Sequence, residues 1–163
     1  ALLVLQGEGF GEEFLHLALR GFVAGRVAGH EQHLLRSHGR RRDAGFPNDK
    51  GGQIGPYLDA YVSLRNSGQN VVIDGPCLSA CTIVLGVMPR DRICVTRRAQ
   101  LGFHAAWNPG ADGRPVLSQA GTKALWDLYP GQVRAWLKKR GGLKPQMLIL
   151  SGPELMSMYP VCH

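Results

Sequence analysis

No apolar run in the 163-residue sequence approaches the roughly 18–20 residues that a membrane helix needs; the opening Ala1–Leu5 stretch stops after five. No basic residue precedes that stretch, so no signal segment is visible. Charged residues are only 19% of the chain against 44% hydrophobic ones. That is too little charge for a disordered polymer and enough apolar matter for a core. Neither a Gly-X-Y period nor sustained heptads occur, which excludes collagen-like and coiled-coil forms, and no internal repeat is visible. A P-loop, a dinucleotide-binding fingerprint and a metal motif are all missing. Cys77-x-x-x-Cys81 is not the CxxC of a zinc ribbon or a thioredoxin site, and no His stands at finger-like spacing from it. The expectation is therefore no metal and no cofactor.

What is present suits one domain rather than two. The 22 Gly and 10 Pro imply frequent turns and short elements. The formal charge is +7 with a pI near 9.6, and the excess lies in residues 51–163, which hold twelve basic and six acidic residues. Arg40-Arg41-Arg42 reads as a turn. Lys138-Lys139-Arg140 ends a predicted helix, where cations suit the dipole. Without interleaved aromatics or a groove-reading helix these clusters read as solvated charge, and no nucleic-acid partner is expected. The four cysteines, at 77, 81, 94 and 162, suit either disulfides in an oxidising compartment or buried thiols. The even count leans towards disulfides and a periplasmic or secreted location.

Along the chain, residues 1–47 form a poorly defined N-terminal extension. Residues 14–19 and 22–27 have some helical character, and 39–47 reads as loop. From residue 48 the signals sharpen. A helix follows Pro56, with Ile54, Leu58, Tyr61 and Val62 at helical spacing and Ser67-Gly68 as its stop. Val71-Val72-Ile73 makes a strand of residues 70–74. After a Gly75-Pro76 turn, residues 79–87 read as a buried helix. Residues 92–96 and 100–104 are strands, 108–114 a loop, and 118–128 and 132–140 helices. Ser151-Gly152-Pro153-Glu154 matches a capping box that opens a last helix. Strands alternating with helices predict an α/β domain over residues 48–163.

Three features carry chemistry. Gly51-Gly52 opens a helical segment, where paired glycines let backbone N–H groups face open space and hold a developing oxyanion; Gly pairs also simply mark turns. Ser79, in Gly75-Pro76-Cys77-Leu78-Ser79-Ala80-Cys81-Thr82, stands between a strand and an apolar helix, which suits a nucleophile, with Ala80 N–H as a second oxyanion donor, and equally suits an N-cap. His104 ends the apolar strand of Leu101-Gly102-Phe103-His104. It serves as a base if its ring reaches Ser79, and otherwise as a structural residue.

In this order and spacing the motifs resemble the Clp-type serine peptidases of the ClpP/crotonase superfamily. They are most similar to small periplasmic bacterial relatives with a C-x-S-A-C-T stretch followed by an arginine and L-G-F-H. The resemblance covers roughly residues 48–160 and includes Leu150-Ser151-Gly152-Pro153-Glu154-Leu155 with Tyr159 behind it. It implies a spiral of short strands flanked by helices, in a serine hydrolase acting on peptide or protein. Ser79 would be the nucleophile, His104 the base, and the N–H groups of Gly52 and Ala80 the oxyanion hole. Two departures stand out. The family's acid falls in a region that reads Gln146-Met147-Leu148-Ile149 here, which leaves Asp112, Asp127, Glu154 or a backbone carbonyl to orient the ring, and leaves catalysis weak or absent. The family also has a strand before the glycine pair, and Arg42-Asp43-Ala44-Gly45-Phe46-Pro47 is a poor strand. The alternative reading is a non-catalytic relative that binds peptides or partners; acyl-CoA chemistry of the crotonase kind suits a Ser–His pair less well. Cys77 and Cys81 bracket Ser79, and a disulfide between them would hold it in place. Members commonly form rings or trimers. Trp126, Tyr129, Trp136, Leu125, Leu128, Val133 and Leu137 would either cover the sheet or supply a homo-oligomer surface.

Overall fold

The computed structural model describes Arg36–Ser37 and residues 43–163. The helical character expected at 14–19 and 22–27 and the Arg40–Arg42 cluster lie outside the described residues. The described residues are mixed α/β, with small sheets and five helices. Its elements are β1 (Arg36–Ser37), β2 (Asp43–Phe46), α1 (Ile54–Asn66), β3 (Asn70–Ile73) and β4 (Pro76–Leu78), followed by a 3-10 turn (Ser79–Ile83) that runs into α2 (Val84–Val87). Then come β5 (Ile93–Val95), β6 (Gln100–Phe103), the hairpin β7 (Trp107–Pro109) and β8 (Pro115–Leu117), α3 (Gln119–Leu128), α4 (Gly131–Lys139), β9 (Leu148–Ser151) and α5 (Gly152–Met158).

The first sheet has the order β1-β2-β3-β5, with β2, β3 and β5 parallel and β1 antiparallel at the edge. The second has the order β4-β6-β9, with β4 and β6 parallel and β9 antiparallel. Three ribbons of chain run side by side from the first sheet into the second. Residues 43–49, 70–78 and 93–103 each bend between the two, and hydrogen bonds continue through the bend: Asp74 N–H to Phe46 C=O at 3.1 Å, Thr96 N–H to Ile73 C=O at 3.0 Å and Gln100 N–H to Gly75 C=O at 3.0 Å. Gly75 sits at the second bend with φ 141°, and an added Cβ would overlap the Pro47 carbonyl.

The strand Asp43–Phe46 corrects the expected loop over 39–47 and moves these residues into the domain. Its propensity is poor, but Ala44 and Phe46 point inward and are 2% exposed, and its full length pairs with β3. Burial and pairing override local preference here. Phe46 meets Tyr61 edge-on at 5.7 Å. On α1 the buried stripe is Tyr57, Tyr61 and Leu64, spaced i, i+4, i+7, while Ile54, Leu58 and Val62 pack at its margin. The carbonyls of Leu64, Arg65 and Gln69 at and beyond its C-terminus accept from the Arg92 guanidinium. Ser118 caps α3 through its hydroxyl, which accepts from Gly121 N–H at 3.1 Å. The capping box expected at Ser151 does not form: Ser151 makes no side-chain cap bond, and Glu154 turns instead to Trp136 Nε1 and Arg140.

Leu125, Tyr129, Val133, Trp136 and Leu137 are buried in the chain's own core, with Trp126 and Leu128 packed against it. Tyr129 and Trp136 lie against Phe103 of β6, so these residues cover the sheet. Among the described residues the exposed large apolar side chains are Trp107, Val116 and Leu117 on the hairpin, Met147 and Ile149 at β9, and Val161. No helix among the described residues is long and apolar enough to cross a membrane. Two disulfides close the structure, Cys77–Cys81 and Cys94–Cys162. The second ties the C-terminal segment beside β5, where Val95 N–H reaches Pro160 C=O at 2.9 Å and Cys162 N–H reaches Val95 C=O at 3.0 Å.

Two stability predictions follow from this packing. An added Cβ at Gly86 would overlap the Leu128 carbonyl, where α2 crosses the end of α3. Gly86→Ala is expected to cost about 2 kcal/mol, read as a lower denaturation midpoint with an unchanged slope. Burial also pushes all four tyrosines up, Tyr129 and Tyr159 to about 12, and the Asp49 carboxyl adds to the upward push on Tyr57 and Tyr61. An unfolded phenol loses its proton near pH 10. Above that pH the unfolded chain binds fewer protons than the native one, so stability falls as pH rises, by roughly 1.4 kcal/mol per unit for each buried phenol. Denaturant melts at pH 9 and pH 11 should show a clearly lower midpoint at the higher pH; coincident curves would contradict it.

Candidate functional site

Ser79 lies where β4 ends and the 3-10 turn begins. Its φ is 55°, and it has the only positive φ of any non-glycine residue described. A side chain in the left-handed region costs on the order of 1 kcal/mol and persists only where the surroundings impose it. They impose it from several sides. β4 pairs with β6 before Ser79, and the disulfide joins Cys77 to Cys81 across it. Beneath it, Thr82 Oγ1 donates to the Ser79 carbonyl at 2.7 Å and lies 2.7 Å from the Tyr129 hydroxyl. Since the Thr82 proton is committed to a carbonyl, Tyr129 is the donor to Thr82. Leu78, not Ser79, is the N-cap of the turn, and no side-chain cap bond forms. The Ser79 hydroxyl is thus free for another use.

That use is His104. Its Nε2 lies 2.8 Å from Ser79 Oγ, and its Nδ1 lies 2.7 Å from the Ala105 carbonyl oxygen. A carbonyl can only accept, so Nδ1 carries the proton and Nε2 is the bare nitrogen that accepts from the Ser79 hydroxyl. The tautomer that a serine nucleophile needs is therefore set by the backbone. Ala105 is held in turn, its N–H bonding the Lys144 carbonyl at 2.6 Å. Ser79 and His104 are both half-buried, so the pair is sheltered yet reachable.

None of the three acids considered for the third position meets the ring. Asp112 accepts from Arg114 N–H within the β7–β8 turn. Asp127 pairs with Lys123 one helical turn away at 2.6 Å. Glu154 bonds Trp136 Nε1 and Arg140, and these two hold its carboxyl below the usual range. The antiparallel register Phe103↔Leu148 brings the chain before β9 alongside His104, and that chain, Lys144 to Met147, carries no acid.

Gly51 has φ 82°, and an added Cβ would lie 2.6 Å from Ser79 Cβ and 3.0 Å from Ala80 N. No other residue type fits this approach. Gly52 follows it as an exposed residue. Ala80 N–H belongs to the first turn of the 3-10 segment, where donors lack partners within the turn. One residue of this site escaped the sequence reading. Asp49 is 8% exposed, and its Oδ1 accepts from Gly51 N–H at 2.8 Å and from the Tyr57 hydroxyl at 2.5 Å. The available signal was an Asp two residues before a glycine pair, the pattern of a side chain closing a turn on its own backbone.

No protein-family model matches the chain, and neither curated proteins nor solved structures returned a match.

Among the described residues no group of three or more His, Cys, Asp or Glu lies close enough together to hold a metal ion. The neighbouring surface is an open groove of about 410 Å³, lined by Ala105, Leu117, Thr122, Lys123, Trp126 and Leu143 among others.

Because the backbone at Ser79 is held in the left-handed region, glycine should relieve it. Ser79→Gly is expected to be more stable than Ser79→Ala by about 1 kcal/mol, measured by thermal or denaturant unfolding of the two variants. An Ala variant as stable as the Gly one would mean that the turn stores no such cost.

Proposed function

We propose that the chain is a Clp-like serine hydrolase, acting on peptide or protein acyl groups through Ser79 and His104. The observation that carries this reading is the 2.8 Å contact between Ser79 Oγ and His104 Nε2, with the ring tautomer fixed by the Ala105 carbonyl. Three parallel ribbons bending between two small sheets support the likeness to the ClpP/crotonase spiral. In this reading Ser79 Oγ attacks the carbonyl carbon and passes its proton to Nε2. The N–H groups of Gly52 and Ala80 receive the oxyanion. The imidazolium then protonates the leaving group, and water repeats the sequence in reverse to free Ser79.

A carbonyl dipole replaces the carboxylate that stabilises the imidazolium in a full triad. The ring keeps its orientation and tautomer but loses the ion-pair contribution, so turnover is slow. The same feature favours a second reading, a peptide-binding relative whose Ser–His pair is a remnant. Both disulfides suit an oxidising compartment, periplasmic or secreted.

A fluorophosphonate probe separates the two readings. The hydrolase reading expects one adduct per chain on Ser79, none on Ser79→Ala, and at least 100-fold slower labelling of His104→Ala. Equal labelling of the wild type and Ser79→Ala removes the nucleophile, and no labelling of either favours the binding protein.

A further inference from the structure

The hydrolase reading leaves unexplained a buried acid beside the glycine pair. Asp49 is hidden from solvent, its Oδ2 has no hydrogen-bond partner, and its Oδ1 takes two donors. Such a carboxylate is costly to bury, and nothing in the Ser79–His104 pair requires it. Its contacts show what it does. Its backbone N–H bonds the Pro76 carbonyl at 2.7 Å, and its carbonyl accepts from Leu78 N–H at 2.8 Å. Asp49 is thereby stitched to β4 on both sides of Cys77, immediately before Ser79. Its side chain then curls forward onto Gly51 N–H, two residues on, and fixes the turn that gives Gly51 its φ of 82°. Tyr57, from the first turns of α1, clamps the same oxygen. One side chain therefore ties together the strand leading into the nucleophile, the glycine turn facing it, and the helix that follows.

We propose that Asp49, clamped by Tyr57, is a positioning residue that fixes the Gly51–Gly52 turn against Ser79 so that its amides meet the oxyanion. This rests on the hydrolase reading. The role is geometric rather than charge-based. With Gly51 N–H tied to Asp49, that amide is turned away from the reacting carbonyl, and the next amide, that of Gly52, is the one offered. Released from Asp49, the turn can rotate, and either no amide or a carbonyl oxygen then faces the oxyanion.

The test compares the full-length wild type with Asp49→Ala, Asp49→Asn and Tyr57→Phe, using a fluorophosphonate at saturating and sub-saturating concentration. Three quantities are read: the maximal labelling rate, the half-saturating concentration, and the final adduct stoichiometry by intact mass. Losing a fixed oxyanion donor costs about 100- to 1,000-fold. A displaced one should cost less, so Asp49→Ala is expected to slow maximal labelling by about 10- to 100-fold. Its half-saturation and stoichiometry should stay near wild type. Asp49→Asn keeps an Oδ1 acceptor for Gly51 and Tyr57 and should recover to within about fivefold. Tyr57→Phe should fall between the two. A purely structural role would lower the stoichiometry with the folded fraction and leave the rate per labelled molecule unchanged, which would overturn the proposal. So would an Asp49→Asn variant as slow as Asp49→Ala, since that would make the charge the active property. If Asp49→Ala does not fold, Tyr57→Phe decides alone, and labelling at the wild-type rate refutes the clamp. An unreactive wild type is a different failure: it removes the hydrolase reading and this inference with it.

Discussion

The geometry of the site depends on a backbone that Ser79 would not choose for itself. An ordinary side chain at φ 55° must be forced there. The forcing groups lie immediately around it: a strand pair before, a disulfide across, the Tyr129–Thr82 relay below, and Gly51 pressed against its Cβ. The result is a hydroxyl that projects out of the turn rather than back onto an N–H of its own helix. His104 then needs only to stand at the end of β6, whose parallel pairing with β4 brings the two side chains together. The Ser79–His104 contact is thus a consequence of strand register, with one strained residue at the point where the strand stops.

The two disulfides do different physical work. In a chain-entropy picture a bridge stabilises more as the loop it closes lengthens. A separation of 68 residues for Cys94–Cys162 corresponds to about 4 kcal/mol, and one of 4 residues for Cys77–Cys81 to about 2 kcal/mol. The long bridge secures the C-terminal segment against β5. The short one contributes less to the stability of the whole and more to the shape of the turn it spans. In the same way, a backbone carbonyl at Nδ1 supplies orientation without charge, which separates two services that a triad acid normally provides together.

Much of this was legible in the sequence, for identifiable reasons. Val71-Val72-Ile73 announces its strand because three β-branched residues in a row suit little else. Ser118 and the periodic residues after it announce α3. Ser79 and His104 stood out because order and spacing, rather than either residue alone, carried the signal. The hidden elements are short strands, most of them held by partners far away in sequence. The segment Asp43–Phe46 has two burial positions and no strong strand former apart from Phe46. Pro76 opens β4 and Pro109 sits in the hairpin, so the first read as a turn and the second as loop. β9 lies just before α5, where the Ser151-x-x-Glu154 pattern drew attention to a cap that does not form. Asp49 was hidden for a different reason: its importance comes from burial and from Tyr57, eight residues on, and neither is visible until α1 folds back over the glycine turn.

The spacing of the cysteines also bears on how the thiols find their partners. Four cysteines can pair in three ways. The two flanking Ser79 are four residues apart, whereas Cys94 pairs with a residue 68 further along. Closing the near pair removes both wrong connectivities, because each of them needs Cys77 and Cys81 free. The bridge that shapes the turn at Ser79 therefore also leaves Cys94 and Cys162 only each other as partners.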